Sequence, residues 1–580
     1  MKHTWHISAI LPLFLAACAS VSPPAPEPQG EAPARAAAAP AEAQARERAG
    51  GGDLDPATLY DVLLGEIAAH QGQLDVAAES LLRAAQRTRD PRLAERAALA
   101  ALQGKRYEEA RAAAELWSEL RPGSTEAREA LAIALLELKR VGEARAALAG
   151  MLQAAKGRNL EQAFLRAAAV LGRASVRDRA LEVMRQLVEQ YPRVPAAHFA
   201  TAHLAVRAGE LEAAEAAVDR ALALRPDWQD AALFKARILA SRQDAPAAQR
   251  WFESYLAAHP DATEVRLQYA RHLIDQKLWE RARDQFKRVV ERNPDDAESV
   301  YAVALLALQT NRLEEAERYF RRVLALRPDH EQARLYLGQT LEQARRYPEA
   351  ARLYGRIGPG EYYLEARARL AAVTAKQGDL AKARALLHAT PAENDDERVQ
   401  LVLAEEQLLR DAKRYREALE VMNAALGRMP GNSHLLYARA LVAERLDMLD
   451  LVESDLRAIL AREPNNANAL NALGYTLADR TDRLDEAEEL LMKALAQKPD
   501  DPFVLDSVGW LYYRQGKNAE AIKYLRRALA IRSDAEIAAH LGEVLWVAGE
   551  RREAESVWTR ALKDTPDSEV LRDVIRKFKP

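Results

Sequence analysis

The chain of 580 residues has very little cysteine and lacks the sequence motifs that usually indicate catalysis or metal binding. Its single cysteine, Cys18, allows no internal disulfide and no thiolate metal site. The sequence contains no HExxH zinc motif, no GxxxxGK(S/T) phosphate loop and no GxSxG nucleophile elbow. His198 and His203 are five positions apart, which does not give the i, i+4 spacing of a helical zinc pair. We therefore predict no enzyme activity, no catalytic residue, no metal and no cofactor.

Aromatic residues and excess charge are also scarce. Aromatic residues make up 6% of the chain whereas hydrophobic residues make up 49%, so the apolar share is mostly alanine and leucine. That composition suits helices packed closely against each other. The formal net charge is only −3, and a nucleic-acid-binding domain would be expected to be basic. We therefore predict no nucleic-acid partner.

The N-terminus has only a short hydrophobic run. Residues 7–17 are apolar after a lysine near the start, which is too short a stretch to span a bilayer as a helix and is typical of a secretory signal peptide. We predict that this signal peptide occupies residues 1–17.

The end of that run, Leu-Ala-Ala-Cys at residues 15–18, resembles the lipobox of bacterial lipoproteins. The resemblance implies cleavage before Cys18 and attachment of acyl chains to it, and several acyl chains give stable anchoring. Ala19 and Ser20 follow, and the lack of an aspartate there favours the outer membrane over the inner one. The alternative is an ordinary signal peptide with a chance cysteine. We expect a lipid-anchored protein of the outer membrane that faces the periplasm.

Residues 18–57 have a different composition from the rest of the chain. This stretch is rich in proline, alanine, glutamate and glycine and has few large apolar side chains, so it cannot bury enough surface to fold. We predict that it is a flexible tether between the anchor and the folded part.

The remainder repeats with a period of about 34 residues, most clearly near its end. Three stretches align on Leu473-Gly474, Val508-Gly509 and Leu541-Gly542, with alanines and prolines at matching later positions. The pattern resembles the tetratricopeptide (TPR) repeat family, whose unit is helix, turn, helix with small residues where the two helices cross. It implies an all-α TPR solenoid, a right-handed superhelix of about fifteen units over residues 58–568. Residues 569–580 are predicted to form a capping helix, which such arrays require.

In TPR proteins the first helices line a concave groove, and the resemblance implies which side chains face it here. The C-terminal units give the most aromatic part of the predicted groove, while earlier units add Phe199 and His203. Tyrosine and tryptophan dominate interface hot spots. The alternative is that these rings pack within the solenoid. The predicted partner-binding residues are Tyr437, Asn468, Asn471, Tyr475, Phe503, Asp506, Trp510, Tyr513, Arg514 and Trp546.

The C-terminal units also carry the more specific resemblance. NALGYTLADRT at 471–481 and DSVGWLYYRQGK at 506–517, together with the lipobox and the tether, resemble proteobacterial outer-membrane TPR lipoproteins. Members of that family are adaptors of a periplasmic carboxyl-terminal processing protease. The resemblance implies partners of two kinds, the protease and substrates such as cell-wall hydrolases. The alternative is a TPR lipoprotein that helps to assemble an envelope machine for pili or exopolysaccharide export. Nothing in the sequence indicates an oligomeric state, and none is predicted.

Overall fold

The structure, a computed structural model, describes residues 55–155, 158–242 and 244–579. These residues form 31 helices and no strand. The helices fall into fifteen consecutive pairs and one final helix, which confirms the all-α repeat fold predicted from the sequence. Cys18, the predicted signal peptide and nearly all of the predicted tether lie outside the described residues. The first described helix begins at Pro56.

The helices are numbered α1 to α31 in chain order, so that odd numbers are the first helices of the pairs. The first helices are α1 Pro56–His70, α3 Pro91–Gln103, α5 Thr125–Glu137, α7 Arg158–Leu171, α9 Pro195–Ala208, α11 Gln229–Ser241, α13 Thr263–Asp275, α15 Ala297–Gln309, α17 Glu331–Gln343, α19 Tyr363–Lys376, α21 Asp395–Asp411, α23 Ser433–Arg445, α25 Ala467–Arg480, α27 Pro502–Arg514 and α29 Ala535–Val547. The second helices are α2 Leu74–Thr88, α4 Tyr107–Leu120, α6 Val141–Ala154, α8 Arg177–Val188, α10 Leu211–Leu224, α12 Ala245–Ala258, α14 Trp279–Arg292, α16 Leu313–Leu326, α18 Tyr347–Tyr354, α20 Leu380–His388, α22 Tyr415–Arg428, α24 Leu449–Arg462, α26 Leu484–Gln497, α28 Asn518–Ile531 and α30 Arg551–Asp564. The final helix is α31 Glu569–Phe578.

Local sequence signals explain where the helices begin and where the pairs turn. Asp501 caps α27 by accepting hydrogen bonds from the backbone N–H groups of Phe503 and Val504, and Asn466 caps α25 in the same way. Between α27 and α28 the chain turns at Gly516, whose φ of 76° lies in the left-handed region that glycine adopts without strain. Such caps and turns keep the two helices of a pair antiparallel and close.

Small residues allow the close crossing that the repeat pattern predicts. A Cβ atom added at Gly474 would lie 2.7 Å from Cγ of Leu491 on α26, and one at Gly509 would lie 2.6 Å from Cγ of Leu525 on α28. Atoms do not approach so closely, so a larger residue would force the helices apart. The alanines of the second helices, such as Ala487 and Ala521, are fully buried at the same crossings.

The described residues divide into two compact units, the first ending at Glu315 and the second beginning at Ala316. In each unit the core is a series of apolar layers between successive helices rather than one central core, as expected for a repeat array. At the end of the second unit, α31 buries Leu571 and places Phe578 against Trp558 of α30, with ring centroids 6.2 Å apart.

Candidate partner-binding surface

The ten predicted groove residues lie on four successive first helices of the second unit. Tyr437 is on α23, three residues are on α25, five are on α27, and Trp546 is on α29. Side chains four positions apart on a helix share a face, so Asn471 lies beside Tyr475 and Asp506 beside Trp510. The faces of α25, α27 and α29 contact each other. Some of the predicted residues belong to one of two groups of side chains in mutual contact, and the others lie around these groups.

The first group surrounds a histidine that the sequence analysis did not single out. The Nδ1 atom of His540 is 3.0 Å from both carboxylate oxygens of Asp506. The imidazole stacks on Trp510 with centroids 4.2 Å apart and an interplanar angle of 27°, and its centroid is 6.1 Å from that of Tyr475. We call these four residues the C-terminal histidine cluster. The indole Nε1–H of Trp510 donates to Oδ1 of Asp479 at 3.0 Å.

The charges around this cluster favour a protonated histidine. Burial by itself lowers the pKa of His540, but the charge and hydrogen bond of Asp506, with the charges of Glu536 and Asp479, outweigh it and raise that pKa to about 9. Burial and the neighbouring carboxylates raise the pKa of the Tyr475 hydroxyl well above its ordinary value. At neutral pH the cluster is therefore an ion pair between His540 and Asp506 enclosed by aromatic rings.

The second group ties the final helix to the array. The hydroxyl of Tyr513 donates to Oε1 of Glu543 at 3.2 Å, and Nζ of Lys577 donates to the same oxygen at 2.8 Å. Burial, then Glu543, raises the pKa of Tyr513 to about 12. Trp546 stacks on Trp558 with centroids 5.8 Å apart. Lys577 and Phe578 of α31 thus contact Glu543 and Trp546 of α29, and Tyr513 shares Glu543 with Lys577.

The other predicted residues lie around these two groups. Nη1 of Arg514 donates to the carbonyl oxygen of Ala478 at 2.6 Å, so this side chain provides a hydrogen bond to the C-terminal turn of α25. Phe503 lies under the guanidinium of Arg532 at 5.0 Å, and Oδ1 of the exposed Asn468 accepts from Lys498 at 3.0 Å.

Exposure differs sharply among the predicted residues. Asn471, Asp506 and Trp510 expose only 6%, 6% and 8% of their surfaces, so most of their area is committed to contacts inside the chain. Tyr437 and Tyr475 are partly buried. Burial, with the charges of Glu444 and Asp501, raises the pKa of Tyr437 to about 12. Little of the surface of Asn471, Asp506 and Trp510 is therefore open to a partner.

A similar cluster lies in the first unit. His203 on α9 stacks on Phe234 of α11 with centroids 4.0 Å apart and an angle of 16°, while Phe199 contacts Trp228 at 4.6 Å. We call these four residues the N-terminal histidine cluster. Burial lowers the pKa of His203, and the nearby Arg237 lowers it further. The two groove residues that the sequence analysis placed here, Phe199 and His203, are thus in contact (4.6 Å between centroids).

Two features escaped the sequence analysis. The first is His540, because a lone histidine gives no motif and its partner Asp506 is one repeat away in the chain. The second is the exposed apolar face of α1, where Leu59, Leu63 and Ile67 expose 45%, 52% and 54% of their surfaces. Their spacing of four residues places them on one face of a helix, and this spacing is the sequence pattern from which the apolar face could have been predicted.

Two further features were not found among the described residues. These residues contain no group of three or more histidine, cysteine, aspartate or glutamate side chains that could hold a metal ion. None of the helices from α1 to α31 combines the length and hydrophobicity needed to cross a bilayer.

Comparison with known families matches repeat models over much of the chain. Three family models, all described as tetratricopeptide repeat, match it. One matches residues 63–125, 165–231, 199–263 and 301–362, another 239–306, and the third 465–534. Together these matches extend over more than half of the chain and fall in both units.

One similar protein and two similar solved structures are also described as TPR proteins. A TPR repeat-containing protein of Pseudomonas aeruginosa is 37% identical over 190 residues, which is 33% of this chain and 32% of that protein. This chain therefore matches about a third of that relative's length. A TPR protein of Thermus thermophilus is 24% identical, with coverage of 30% of this chain and 95% of that one and a TM-score of 0.28. A tetratricopeptide repeat protein of Parabacteroides merdae is 16% identical, with coverage of 48% and 97% and a TM-score of 0.31.

Proposed function

Because this chain belongs to the tetratricopeptide-repeat family, we propose that it is a non-enzymatic scaffold that acts by binding other proteins. The observation that carries this proposal is the array itself. Fifteen helix pairs present one first helix after another, and in the second unit these helices bring aromatic and charged side chains of separate repeats into contact. Repeat arrays generally use such extended surfaces for recognition.

We further propose the specific role of an adaptor for a periplasmic carboxyl-terminal processing protease. In this role the chain is anchored in the outer membrane through acylated Cys18, binds the protease and presents substrates such as cell-wall hydrolases to it. The support comes from the sequence, namely the lipobox at 15–18, the proline- and alanine-rich stretch at 18–57 and the motifs at 471–481 and 506–517. An adaptor of this kind needs no chemistry, because holding enzyme and substrate together raises their effective concentration.

The adaptor role is tested by reconstitution with purified components. We expect a carboxyl-terminal processing protease to degrade a cell-wall hydrolase faster when the purified chain is present. Capture from a cell-envelope extract should in parallel enrich a serine protease with a PDZ domain. No acceleration, with capture of a pilus secretin or a polysaccharide-export protein, would instead support the assembly role.

The anchor is tested separately. We expect Cys18→Ala to move the protein from the membrane fraction to the soluble periplasmic fraction without changing its helical content. Retention of this variant in the outer-membrane fraction would contradict the lipid anchor and leave the binding role untouched.

A further inference from the structure

The first helix of the array exposes an apolar stripe that sets it apart from the other described helices. Leu59, Leu63 and Ile67 of α1 lie on one face at spacings of four, and Tyr60 beside them exposes 64% of its surface. Among the described residues, no other helix carries more than one exposed large apolar side chain. Adjoining exposed apolar side chains mark interaction surfaces, whereas single ones are common. We call these four residues the α1 stripe.

The stripe occupies positions that can be compared with those of later repeats. A Cβ atom added at Gly65 would lie 2.7 Å from Cγ of Leu81 on α2, so Gly65 is the small residue at the helix crossing of the first pair. Relative to this glycine, Tyr60 lies five positions before it, Leu63 two positions before it and Ile67 two positions after it.

In later repeats the same positions are covered by the preceding repeat. In α27, counted from Gly509, they are Val504, Ser507 and Leu511, which expose 3%, 2% and 0% of their surfaces. Val504 packs in one apolar cluster with Ala494 of α26, the second helix of the repeat before it. The three equivalent positions of α17 and of α29 are buried as well. The α1 stripe is therefore one half of an interface between repeats, and its other half is missing from the described residues.

The chain before α1 does not supply this other half. In the later repeat the covering helix includes large apolar side chains, since Leu490 and Leu495 of α26 pack against the cluster of Val504. Residues 22–53 contain no valine, leucine, isoleucine, methionine or aromatic residue. The apolar run at 7–17 belongs to the predicted signal peptide, whose cleavage removes it. The cover for α1 is therefore expected from another molecule.

We propose that the α1 stripe is covered by the α1 stripe of a second copy, so that two chains join through their first repeats about a two-fold axis. The spacing is symmetric about Leu63, so antiparallel packing places Leu63 against its own copy and Leu59 against Ile67 of the second chain. Side chains four apart form a ridge, and the interdigitation of such ridges is the commonest packing of helices. A two-fold contact is self-complementary and closes, so assembly stops at two chains. This inference goes beyond the proposed adaptor function, which does not depend on the number of chains.

A membrane surface matches the stripe less well. Helices that lie on anionic bilayers are rich in lysine and arginine, and α1 contains neither. Its two carboxylates are engaged inside the first unit, where Asp61 pairs with Arg83 and Glu66 with Arg96. The bilayer is therefore the competing occupant that the experiment has to distinguish.

The first test is the molar mass of the lipid-free chain, obtained as the Cys18→Ala variant, by light scattering and sedimentation at micromolar concentrations. We expect twice the mass of one chain. Adding Leu63→Glu should weaken self-association at least about tenfold, because two like charges then meet at the axis. The helical content should not change, since Leu63 is half exposed in the single chain.

The matched control places the same charge on another first helix. Leu165 of α7 exposes 41% of its surface, and we expect Leu165→Glu to leave the doubled mass unchanged. A single-chain mass for the parent, or equal weakening by both substitutions, would overturn the proposal.

A second test measures the geometry of the contact. In the Cys18→Ala background, Leu63→Cys places the only thiol of the chain at the proposed axis, and we expect mild oxidation to join two chains there. Leu59→Cys is the control, because its two copies lie eight residues, or about 12 Å, apart along antiparallel helices, which is beyond the reach of a disulfide. No cross-link through Leu63→Cys, or equal cross-linking of both variants, would overturn the two-fold arrangement.

Flotation with vesicles of phosphatidylethanolamine and phosphatidylglycerol distinguishes the bilayer from a second copy. We expect the lipid-free parent chain to remain in the dense fraction. A single chain that floats with the vesicles, and that loses this binding with Leu63→Glu, would show that the stripe contacts lipid and would overturn the proposal.

Discussion

The two histidine clusters have nearly the same stacking geometry and opposite electrostatic surroundings. His203 lies 4.0 Å from Phe234, and His540 lies 4.2 Å from Trp510, in both cases across two successive first helices. Burial and an arginine lower the pKa of His203, whereas Asp506 and two further carboxylates raise the pKa of His540 against the effect of burial. The repeat fold fixes where the rings meet, and a few neighbouring side chains fix whether the histidine is charged.

This difference shows how a uniform scaffold can carry different local electrostatic environments. The two helices of a pair cross at similar positions from repeat to repeat, because small residues are required where they come closest. The remaining positions on those helices vary without disturbing the fold. In the second unit they accumulate carboxylates around a protonated histidine, and in the first unit they place arginines next to a neutral one. We therefore expect the two clusters to respond differently to mutation and to pH.

The largest effect is expected from removing the counter-charge of His540. Asp506→Asn leaves a buried imidazole without its carboxylate, and breaking one partner of such a pair costs about 3 kcal/mol. We expect the free energy of unfolding at pH 7 to fall by roughly that amount and the pKa of His540 to fall toward or below its ordinary value. Chemical denaturation and the C2-proton NMR shift of His540 measure the two effects. A variant as stable as the parent would show that the ion pair contributes nothing.

The second prediction compares the same substitution in both clusters. His540→Phe keeps an aromatic ring but leaves Asp506 buried without a partner, which costs about 2 kcal/mol. His203→Phe replaces a neutral ring stacked on Phe234, and we expect a change of less than about 1 kcal/mol because the volume is similar. Denaturation curves of the two variants give the comparison. Equal losses would mean that the two histidines have the same role.

The third prediction concerns pH. The folded pKa of His540 is raised from 6.5 to about 9, so its contribution is fully present below pH 6.5 and is lost as the pH rises toward 9. The folded pKa of His203 is lowered, so its contribution is present above pH 6.5 and is lost as the pH falls through the folded value. We expect hydrogen exchange, corrected for its intrinsic pH dependence, to show α29 weakening on the alkaline side and α9 on the acidic side. Weakening of both helices in the same direction would contradict the comparison.

The smallest effect is expected from the arginine beside His203. Burial is the main cause of the lowered pKa there, and Arg237 adds to it. Arg237→Gln should therefore raise the pKa of His203 by less than about one unit without returning it to its ordinary value. An NMR titration of the variant measures this. Full recovery of the ordinary pKa would show that charge, not burial, dominates in the first unit.

The sequence was sufficient for the repeat architecture. The alignment of Gly474 and Gly509 and the alanines that follow them reflect a steric need at each helix crossing, so the period can be read from residues alone. The second helices of two repeats, α18 and α20, are shorter than the period suggests. They end already at Gly355 and Ala389, which are their C-cap residues.

The candidate surface could be predicted only in part. Register placed Asp506, Trp510 and Tyr475 on facing helices, but it could not show that Trp510 would be almost fully covered by its neighbours. His540 was missed because its role comes from contacts with another repeat, and the repeat motif carries no information about such contacts. Burial and pairing between repeats depend on how neighbouring helices pack, which the period does not determine.

The most direct test of this account is a single NMR titration of the histidine C2 protons in the intact chain. We predict that His540 titrates near pH 9 and that His203 titrates below its ordinary pKa of 6.5. That result would establish one array with two histidine–aromatic clusters of opposite charge. If the two residues instead titrate together near 6.5, the clusters are electrostatically equivalent and the account is contradicted.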